Sequence, residues 1–195
     1  MERAIKAIVL ALGLAFAYVV AVAALELLGY FHPFFWTYSA VFAAFTAAIP
    51  YYLMCKRFPV PGMAILCAVL LLILNFLFGQ GHEYFALGCV GFGCIAEGLR
   101  KLWGNYRGRK GVIASYAVMS LIPFSKSVAL WIDYDTAMDL IISNMGDIYA
   151  AVMGRMMSRY MAISMVVLTL VFAVLIMWIL TRNWRPREDY HIMIE

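Results

Sequence analysis

Six long apolar runs, separated by short polar segments, follow one another along the 195 residues of the chain. Each run approaches the ~20 residues that a helix needs to cross the hydrocarbon core of a bilayer. Backbone polar groups in hydrocarbon must bond within their own segment, so runs of this length are interpreted as helices. The pattern predicts an all-α polytopic membrane protein with six transmembrane helices. These predicted spans cover about residues 4–28, 34–53, 60–78, 84–103, 112–131 and 161–180.

The composition excludes a soluble globular domain of this size, because 66% of the residues are hydrophobic and only 13% are charged. No separate soluble domain is predicted, and residues 1–195 are interpreted as a single transmembrane domain. The spacing of the four cysteines fits neither a zinc site nor a disulfide framework, so they are expected to be small packing residues. They are Cys55, Cys67, Cys89 and Cys94.

The cationic residues lie mostly on one side of this predicted topology. Only Arg155 and Arg159 fall in the opposite loops, and Lys126 falls within the fifth span. The positive-inside rule therefore predicts that both termini are cytoplasmic. The net charge of +4 reflects this topology, and no nucleic-acid partner is expected because the basic residues form no single face. The one-sided cations are Arg3, Lys6, Lys56, Arg57, Arg100, Lys101, Arg107, Arg109, Lys110, Arg182, Arg185 and Arg187.

The longest segment between spans, residues 132–160, lies on the predicted outer side. Its apolar residues recur at roughly helical spacing and are interrupted at Asn144 and Gly146. This predicts one or two short amphipathic helices across the outer mouth of the bundle. They would serve either as a lid over a binding site or as an interfacial anchor.

Three polar residues fall at membrane depth near the predicted outer side, namely Glu26, Asn75 and Lys126. Ionisable groups within a span usually face a cavity or a partner. Lys126 follows Pro123 by three residues, and the proline predicts a kink. A cation beside this kink would suit an anionic group of a ligand, although Lys126 could instead extend to the interface. At the other end of the bundle, Glu97 is expected to form a local helical ion pair.

The first span carries two stripes of small residues, and small residues allow the close backbone approach through which helices associate in lipid. One stripe is enough to pack this span into its own bundle, which leaves the other for a partner protein, unless both are internal. The first stripe is Ala4, Ala7, Ala11 and Ala15, and the second is Gly13, Ala17, Ala21 and Ala24.

The outer turn at residues 79–84 combines two glycines with side chains that can bind a ligand, and His32 lies in the neighbouring outer turn. The histidines at 32 and 82, with nearby tyrosines and methionines, could ligate a metal or a haem iron. Alternatively, they are hydrogen-bonded interfacial side chains. Trp36 and Trp131 are expected in an aromatic belt, from which they could stack on a planar ligand.

Catalytic motifs are largely absent: the chain contains no G-x-S-x-G, no Walker loop and no H-E-x-x-H. The chain is therefore not expected to be an enzyme. One alternative is a membrane enzyme that acts on lipid-linked substrates through Asp133, Asp135 and Asp139 with a divalent ion. Another is a structural membrane subunit whose small-residue stripes only pack against partners.

Short motifs spread over nearly the whole chain together resemble the Trep_Strep family of bacterial integral membrane proteins. Members of this family look like substrate-binding S components of energy-coupling factor (ECF) transporters. The outer turn, with Gln80 and His82-Glu83, departs most from the expected pattern. The motifs are Ala7/Ala11/Ala15, Ile49-Pro50, Lys56-Arg57, Gly79-Gln80-Gly81, Gly91…Ala96-Glu97, Arg107-Gly108-Arg109-Lys110 and Ser115-Tyr116-Ala117.

The resemblance implies a six-helix protein of the bacterial cytoplasmic membrane that topples to carry its ligand inward. The ligand would lie near the outer face beneath residues 29–33, 79–83 and 132–160. Ala7, Ala11 and Ala15 of the first helix would face a coupling T component, which two ATP-binding subunits drive. Such families handle vitamins and other scarce micronutrients.

A substrate site is predicted from the polar and aromatic residues near the outer side. Its cations would bind anionic groups, its aromatic residues would hold a planar part, and its methionines would form an adaptable lid. No resident cofactor or metal is expected, but a haem-like cargo would use all of these residues, with His32 or His82 as an axial ligand. The predicted set is Trp36, Asn75, Gln80, His82, Tyr84, Lys126, Trp131, Tyr149, Met153, Arg155, Met157 and Arg159.

Overall fold

The computed structural model describes residues 2–186, without the side chain of Arg3. Arg187, one of the predicted inner cations, lies outside the described residues. Residues 2–186 form twelve α-helices, a short 3-10 helix at Leu28–Tyr30 and no strand, which confirms the all-α class. The helices are α1 (Glu2–Leu27), α2 (Pro33–Thr37), α3 (Ser39–Thr46), α4 (Ala48–Arg57), α5 (Met63–Leu77), α6 (Glu83–Leu102), α7 (Arg109–Met119), α8 (Ile122–Ser127), α9 (Ala129–Ile132), α10 (Tyr134–Met145), α11 (Asp147–Met156) and α12 (Arg159–Leu180).

Two segments of the described chain are long and apolar enough to cross a membrane on their own. They are Ala4–Tyr30, which consists of α1 and the 3-10 helix, and α12. Helices α3 and α4 qualify only as a pair, bent by 44°, and α5 is apolar but shorter. Helix α6 is long enough, but its last turns carry Glu97, Arg100 and Lys101. By length and composition, two or three segments of the described chain are capable of crossing a membrane, and the predicted count of six spans is not established by them.

Prolines explain one of the divisions in each of the second and fifth predicted spans. A proline cannot donate to the carbonyl four residues earlier, and its ring clashes with that carbonyl. For Pro50 this residue is Thr46, where α3 ends. For Pro123 it is Met119, where α7 ends before α8 begins. The kink predicted at Pro123 therefore takes the form of an interruption of the helix.

The apolar core lies between α1, α3, α4, α5, α6 and α7, with the last turns of α12 packed beside them. Large side chains such as Tyr18, Met54 and Leu71 are completely buried in it. The buried Tyr116 hydroxyl donates to the Ala44 carbonyl over 2.8 Å, whereas the buried Thr169 hydroxyl has no hydrogen-bond partner among the described residues. All four cysteines are free, and three of them are buried as expected for packing residues, whereas Cys94 is exposed.

The segment predicted to carry one or two amphipathic helices contains α10 and α11. They are separated at Gly146, which has a φ of +86° and coincides with the predicted interruption. Helix α10 buries no residue, whereas α11 buries Ala150 and Met153. Helix α11 packs against α2, and α10 packs against α9 and α11.

Candidate functional site

A buried ion pair joins α8 to the last turn of α1. Lys126 Nζ lies 2.6 Å from Glu26 Oε2, and only 10% and 11% of the two side chains are exposed. Lys126 also donates to Gln80 Oε1 over 3.4 Å, and its Nζ lies 5.0 Å from the centre of the Phe85 ring. The alternative in which Lys126 extends to the interface is therefore wrong, because the structure encloses its ammonium group.

The ion pair continues into a network of side chains from four parts of the chain. Gln80, in the turn between α5 and α6, donates through Nε2 to the Tyr30 hydroxyl over 2.6 Å. We call Glu26, Tyr30, Gln80 and Lys126 the Lys126 cluster. The second carboxylate oxygen of Glu26, Oε1, is buried without a hydrogen-bond partner among the described residues. The cluster thus contains an unused acceptor beside its buried cation.

His82 lies next to this cluster, at the N-terminus of α6. Its Nδ1 accepts the backbone N–H of Phe85 over 3.3 Å, so it caps the helix. Burial, followed by the charge of Lys126, lowers the pKa of His82, against smaller opposing effects from a Lys126 main-chain hydrogen bond and Glu83. The Tyr84 ring is 6.1 Å from the imidazole. The lowered pKa favours a neutral His82 beside the charged Lys126.

Helix α11 is attached beside the cluster through two of the predicted site residues. The Tyr149 hydroxyl donates to the Gly29 carbonyl over 2.6 Å, and Thr37 donates to the sulfur of the fully buried Met153 over 3.5 Å. Burial, and then the neighbouring Tyr30, raise the pKa of Tyr149 to about 12. Trp36 packs on the same main chain, since a Cβ on Gly29 would lie 2.8 Å from Trp36 Cβ.

Other predicted site residues lie apart from this network. Asn75 is buried, but its amide donates to the Leu71 carbonyl of its own helix over 2.9 Å. The Trp131 ring packs 5.9 Å from Phe124, and its buried Nε1 has no hydrogen-bond partner in residues 2–186. Met157 follows the last residue of α11.

The predicted role of Arg155 and Arg159 in binding anionic groups stays a prediction. Arg155 and Arg159 are exposed, and neither forms an ion pair or a hydrogen bond through its side chain within the described chain. They lie at the end of α11 and the beginning of α12. His32 is likewise exposed, and its Nδ1 accepts the N–H of Phe34 over 3.1 Å, which caps α2.

A separate open cleft of about 460 Å³ lies where α2 meets the region between α11 and α12. Its wall is mostly apolar, with the hydroxyl groups of Tyr38 and Ser164 3.1 Å apart. No member of the Lys126 cluster lines it. The lining residues are Phe34, Tyr38, Met156, Ser158, Tyr160, Met161 and Ser164.

A second buried charge cluster lies at the opposite end of α6. The expected Glu97–Arg100 pair is confirmed, with Nη1 and Oε1 3.6 Å apart. In addition, the Glu97 carboxylate accepts the backbone N–H groups of Gly62 and Ala64, each over 2.9 Å, and so caps the N-terminus of α5. Arg100 is completely buried and donates to the Phe58 carbonyl over 3.4 Å. These contacts fasten the α4–α5 turn to α6.

Of the two small-residue stripes of α1, the one predicted to face a partner is largely buried and the other is accessible. Ala11 and Ala15 are buried in the chain's own core, at 8% and 0% exposure, and Ala7 packs at its edge. This corrects the prediction that Ala7, Ala11 and Ala15 face a partner, because the core-facing side of α1 includes them. The second stripe is the accessible one, since Gly13, Ala17 and Ala24 are exposed.

Glu26 and Tyr30 belong to the cluster but were absent from the predicted site. A signal for Glu26 was available, because a carboxylate in the last turn of a helix is disfavoured by the helix dipole and therefore needs a cation. Nothing in the local sequence indicates that this cation is 100 residues away. For Tyr30 no signal distinguishes it from its aromatic neighbours.

The outer aspartates of the membrane-enzyme alternative are exposed on α10 or just before it, at 133, 135 and 139. Within residues 2–186, no three or more His, Cys, Asp or Glu side chains are placed to hold a metal ion together. No observation on the described residues favours that alternative.

Comparison with known proteins identifies a family but no characterised relative. No curated protein and no solved structure matches the chain. Residues 5–182 match the family model named Trep_Strep, described as a hypothetical bacterial integral membrane protein. Since this match spans most of the chain, the protein belongs to the Trep_Strep family of bacterial integral membrane proteins.

Proposed function

We propose that the chain is the substrate-binding subunit, or S component, of an ECF-type importer. It captures a small micronutrient at the Lys126 cluster for uptake driven by a transmembrane T component and two ATP-binding subunits. The observation that carries this proposal is the buried ion pair between Lys126 of α8 and Glu26 of α1. Lys126 also donates a hydrogen bond to Gln80, and the pair lies beside α11.

A buried ion pair of this kind is better explained by binding than by stability. Removing two charges from water is costly, and replacing such a pair by apolar residues is often neutral or stabilising. Ionisable groups within membrane helices are rare and usually mark a substrate or ion pathway. The pair also retains an unsatisfied acceptor at Glu26 Oε1. Together these features support a ligand site in which, in this conformation, the two charged groups pair with each other.

The proposed topology has six passes, made by α1, by α2 to α4, by α5, by α6, by α7 to α9 and by α12. The length of α6 supports this topology, because its 20 residues extend about 30 Å, the thickness of a hydrocarbon core. The Lys126 cluster lies at one end of α6 and the Arg100–Glu97 pair at the other. The end that carries Arg100, Lys101 and Arg109 would face the cytoplasm by the positive-inside rule.

In this topology α10 and α11 form a lid over the outer end. The attachment of α11 through Tyr149 to Gly29 and through Met153 to Thr37 supports this role. Besides these two hydrogen bonds, α11 buries only Ala150 and Met153, so its separation from the bundle would not require a span to unfold. A haem-like cargo with His32 or His82 as an axial ligand stays a prediction.

The T component would contact the exposed stripe of α1, formed by Gly13, Ala17 and Ala24, rather than the buried alanines. A tagged chain purified from its native membrane should bring with it a multispanning partner and ATP-binding subunits, detected by protein mass spectrometry. Ala17→Trp should abolish this copurification, since it places bulk on the close-packing stripe. The matched control Val167→Trp, on the exposed face of α12, should preserve it.

Two outcomes would contradict this proposal in different ways. If ATP-binding subunits are absent from the purified wild-type complex, the chain is not an S component. If they are present and Ala17→Trp leaves them bound, the contact with the T component lies elsewhere on the surface.

A further inference from the structure

We infer that the ligand of the Lys126 cluster is a zwitterion, a small molecule that carries an ammonium group and a carboxylate close together. This inference rests on the proposed function and specifies the substrate class of the same site. It is carried by the charge balance of the cluster, by its unused acceptor and by the position of the other cations.

The charge balance comes from the mutual neutralisation of Lys126 and Glu26, whose side chains are about nine-tenths buried. A ligand with only a carboxylate would pair with Lys126 and leave Glu26 as a buried, unpaired anion. A ligand with only an ammonium group would leave the site with one uncompensated positive charge instead. An unpaired buried charge is far more costly than a paired one. A zwitterion avoids both costs, because it replaces one ion pair by two.

The hydrogen-bonding capacity of the cluster fits both halves of such a ligand. Glu26 Oε1 is buried and unpartnered, so it can accept from an ammonium group without giving up an existing contact. Gln80 already bridges Lys126 and Tyr30 through both ends of its amide. Its Nε2 can donate to a carboxylate beside Lys126, while its carbonyl can accept from an ammonium group.

Within residues 2–186, the cluster contains no second cation for a more acidic ligand. Burial and then the nearby Lys126 lower the pKa of His82, while Arg155 and Arg159 are exposed and form no hydrogen bond or ion pair with the cluster within the described chain. A dicarboxylate such as a haem-like cargo would therefore meet one buried cation and one buried anion. The Phe85 ring, 5.0 Å from Lys126 Nζ, offers an apolar or aromatic contact for the rest of a small ligand.

The experiment compares three charge classes on one molecular frame. The chain purified in detergent is titrated with the twenty common amino acids, with the amines that lack their carboxylate, and with the acids that lack their amino group. L-phenylalanine, 2-phenylethylamine and 3-phenylpropionate form one such set. Binding is measured as the increase in thermal unfolding temperature and confirmed by calorimetry. At least one zwitterion should bind, and both of its singly charged analogues should bind at least tenfold more weakly.

The variants test whether the buried pair causes this preference. Glu26→Gln should transfer binding from the zwitterion to its carboxylate analogue, and Lys126→Gln should transfer it to the amine. Glu83→Gln, which removes an exposed carboxylate from the same end of α6, should leave the preference unchanged. A wild-type chain that binds carboxylates as tightly as zwitterions would overturn the inference while small-molecule capture stands. The failure of all three classes to bind would contradict both.

Discussion

At the scale of single residues, Lys126 and Glu26 each make the burial of the other tolerable. Removing one partner leaves an uncompensated buried charge, so Lys126→Met and Glu26→Gln should each reduce the free energy of unfolding by about 3–5 kcal/mol. The double variant should be less destabilised than the sum of the two, by about 0.5–3 kcal/mol. Chemical denaturation in detergent measures all three. Strict additivity would show that the two side chains are not paired.

The control for this cycle is the Lys6–Glu2 pair of α1, which has the same 2.6 Å separation but side chains 75% and 81% exposed. Exposed pairs contribute little because water already solvates both charges. Lys6→Met and Glu2→Gln should therefore show no measurable coupling. The comparison separates the effect of burial from that of distance.

His82 gives the Lys126 end of the bundle a dependence on pH. Its pKa in the folded protein is below the ordinary value of 6.5, so the unfolded chain takes up a proton first as the pH falls. The stability that His82 contributes is complete above about pH 6.5 and is lost as the pH falls from there through the lower, folded pKa. Thermal unfolding measured between pH 8 and 5 should show this decline.

The matched variant His82→Asn keeps an N-cap acceptor for α6 but does not titrate. It should remove the part of the decline that belongs to His82 while the helix remains capped. An unchanged pH profile in this variant would show that another group is responsible.

Of the residue-level predictions, the local ion pair between Glu97 and Arg100 is confirmed, because the two residues lie one turn apart. Lys126 and Gln80 were assigned to the site because polar side chains are conspicuous near apolar spans, and their role in binding stays a prediction. The partner of Lys126 was not identified, since no local rule connects residues 100 positions apart. Arg155 and Arg159 were assigned to the site by charge alone; both are exposed, and their role in binding stays a prediction.

At the scale of elements, α6 and α8 pack so closely that Gly88 is required at their contact. A Cβ at Gly88 would overlap the side chain of Ser125, which is buried and donates to the Ile122 carbonyl over 2.6 Å. Gly88→Ala should therefore destabilise the protein by about 1–3 kcal/mol through overpacking. Because α8 carries Lys126, this variant should also weaken ligand binding.

Gly91 of the same helix supplies the control, since nothing lies within 4 Å of a Cβ placed there. Gly91→Ala should be neutral or stabilising by up to about 1 kcal/mol, because alanine favours the helix. Unfolding of the two variants under the same conditions measures the difference. Equal effects at both positions would contradict the close contact between α6 and α8.

The sequence predicted where helices lie better than how they are divided. Hydrophobic runs identified the positions of α1, α5, α6 and α12, and the interruption at Gly146 between α10 and α11 was also predicted. Pro50 and Pro123 each interrupt a predicted span. Whether a proline only kinks a helix or ends it depends on the contacts that neighbouring helices make with the freed backbone groups, and these contacts are not visible in the local sequence. The capping of α5 by Glu97 was not predictable, because Gly62 lies 35 residues away.

At the scale of the whole molecule, the proposed topology places the Lys126 end and the Arg100 end on opposite sides of the membrane. This can be tested by cysteine labelling in a variant whose four native cysteines are replaced by alanine. Asp147→Cys, at the start of α11, should react with a membrane-impermeant maleimide in intact cells. Lys110→Cys, in the first turn of α7, should react only after the membrane is permeabilised. Both native side chains are exposed. Labelling of both positions in intact cells would contradict the six-pass arrangement.

The central claim is that the Lys126 cluster captures a small molecule for uptake. The most direct measurement is mass spectrometry of the small molecules released from the chain after purification from its own membrane. The wild-type chain should release one compound in stoichiometric amount, and Lys126→Met should release less than a tenth of it, while the exposed-site control Lys110→Met should match the wild type. A compound retained equally by Lys126→Met, or no compound released by the wild type, would contradict the account.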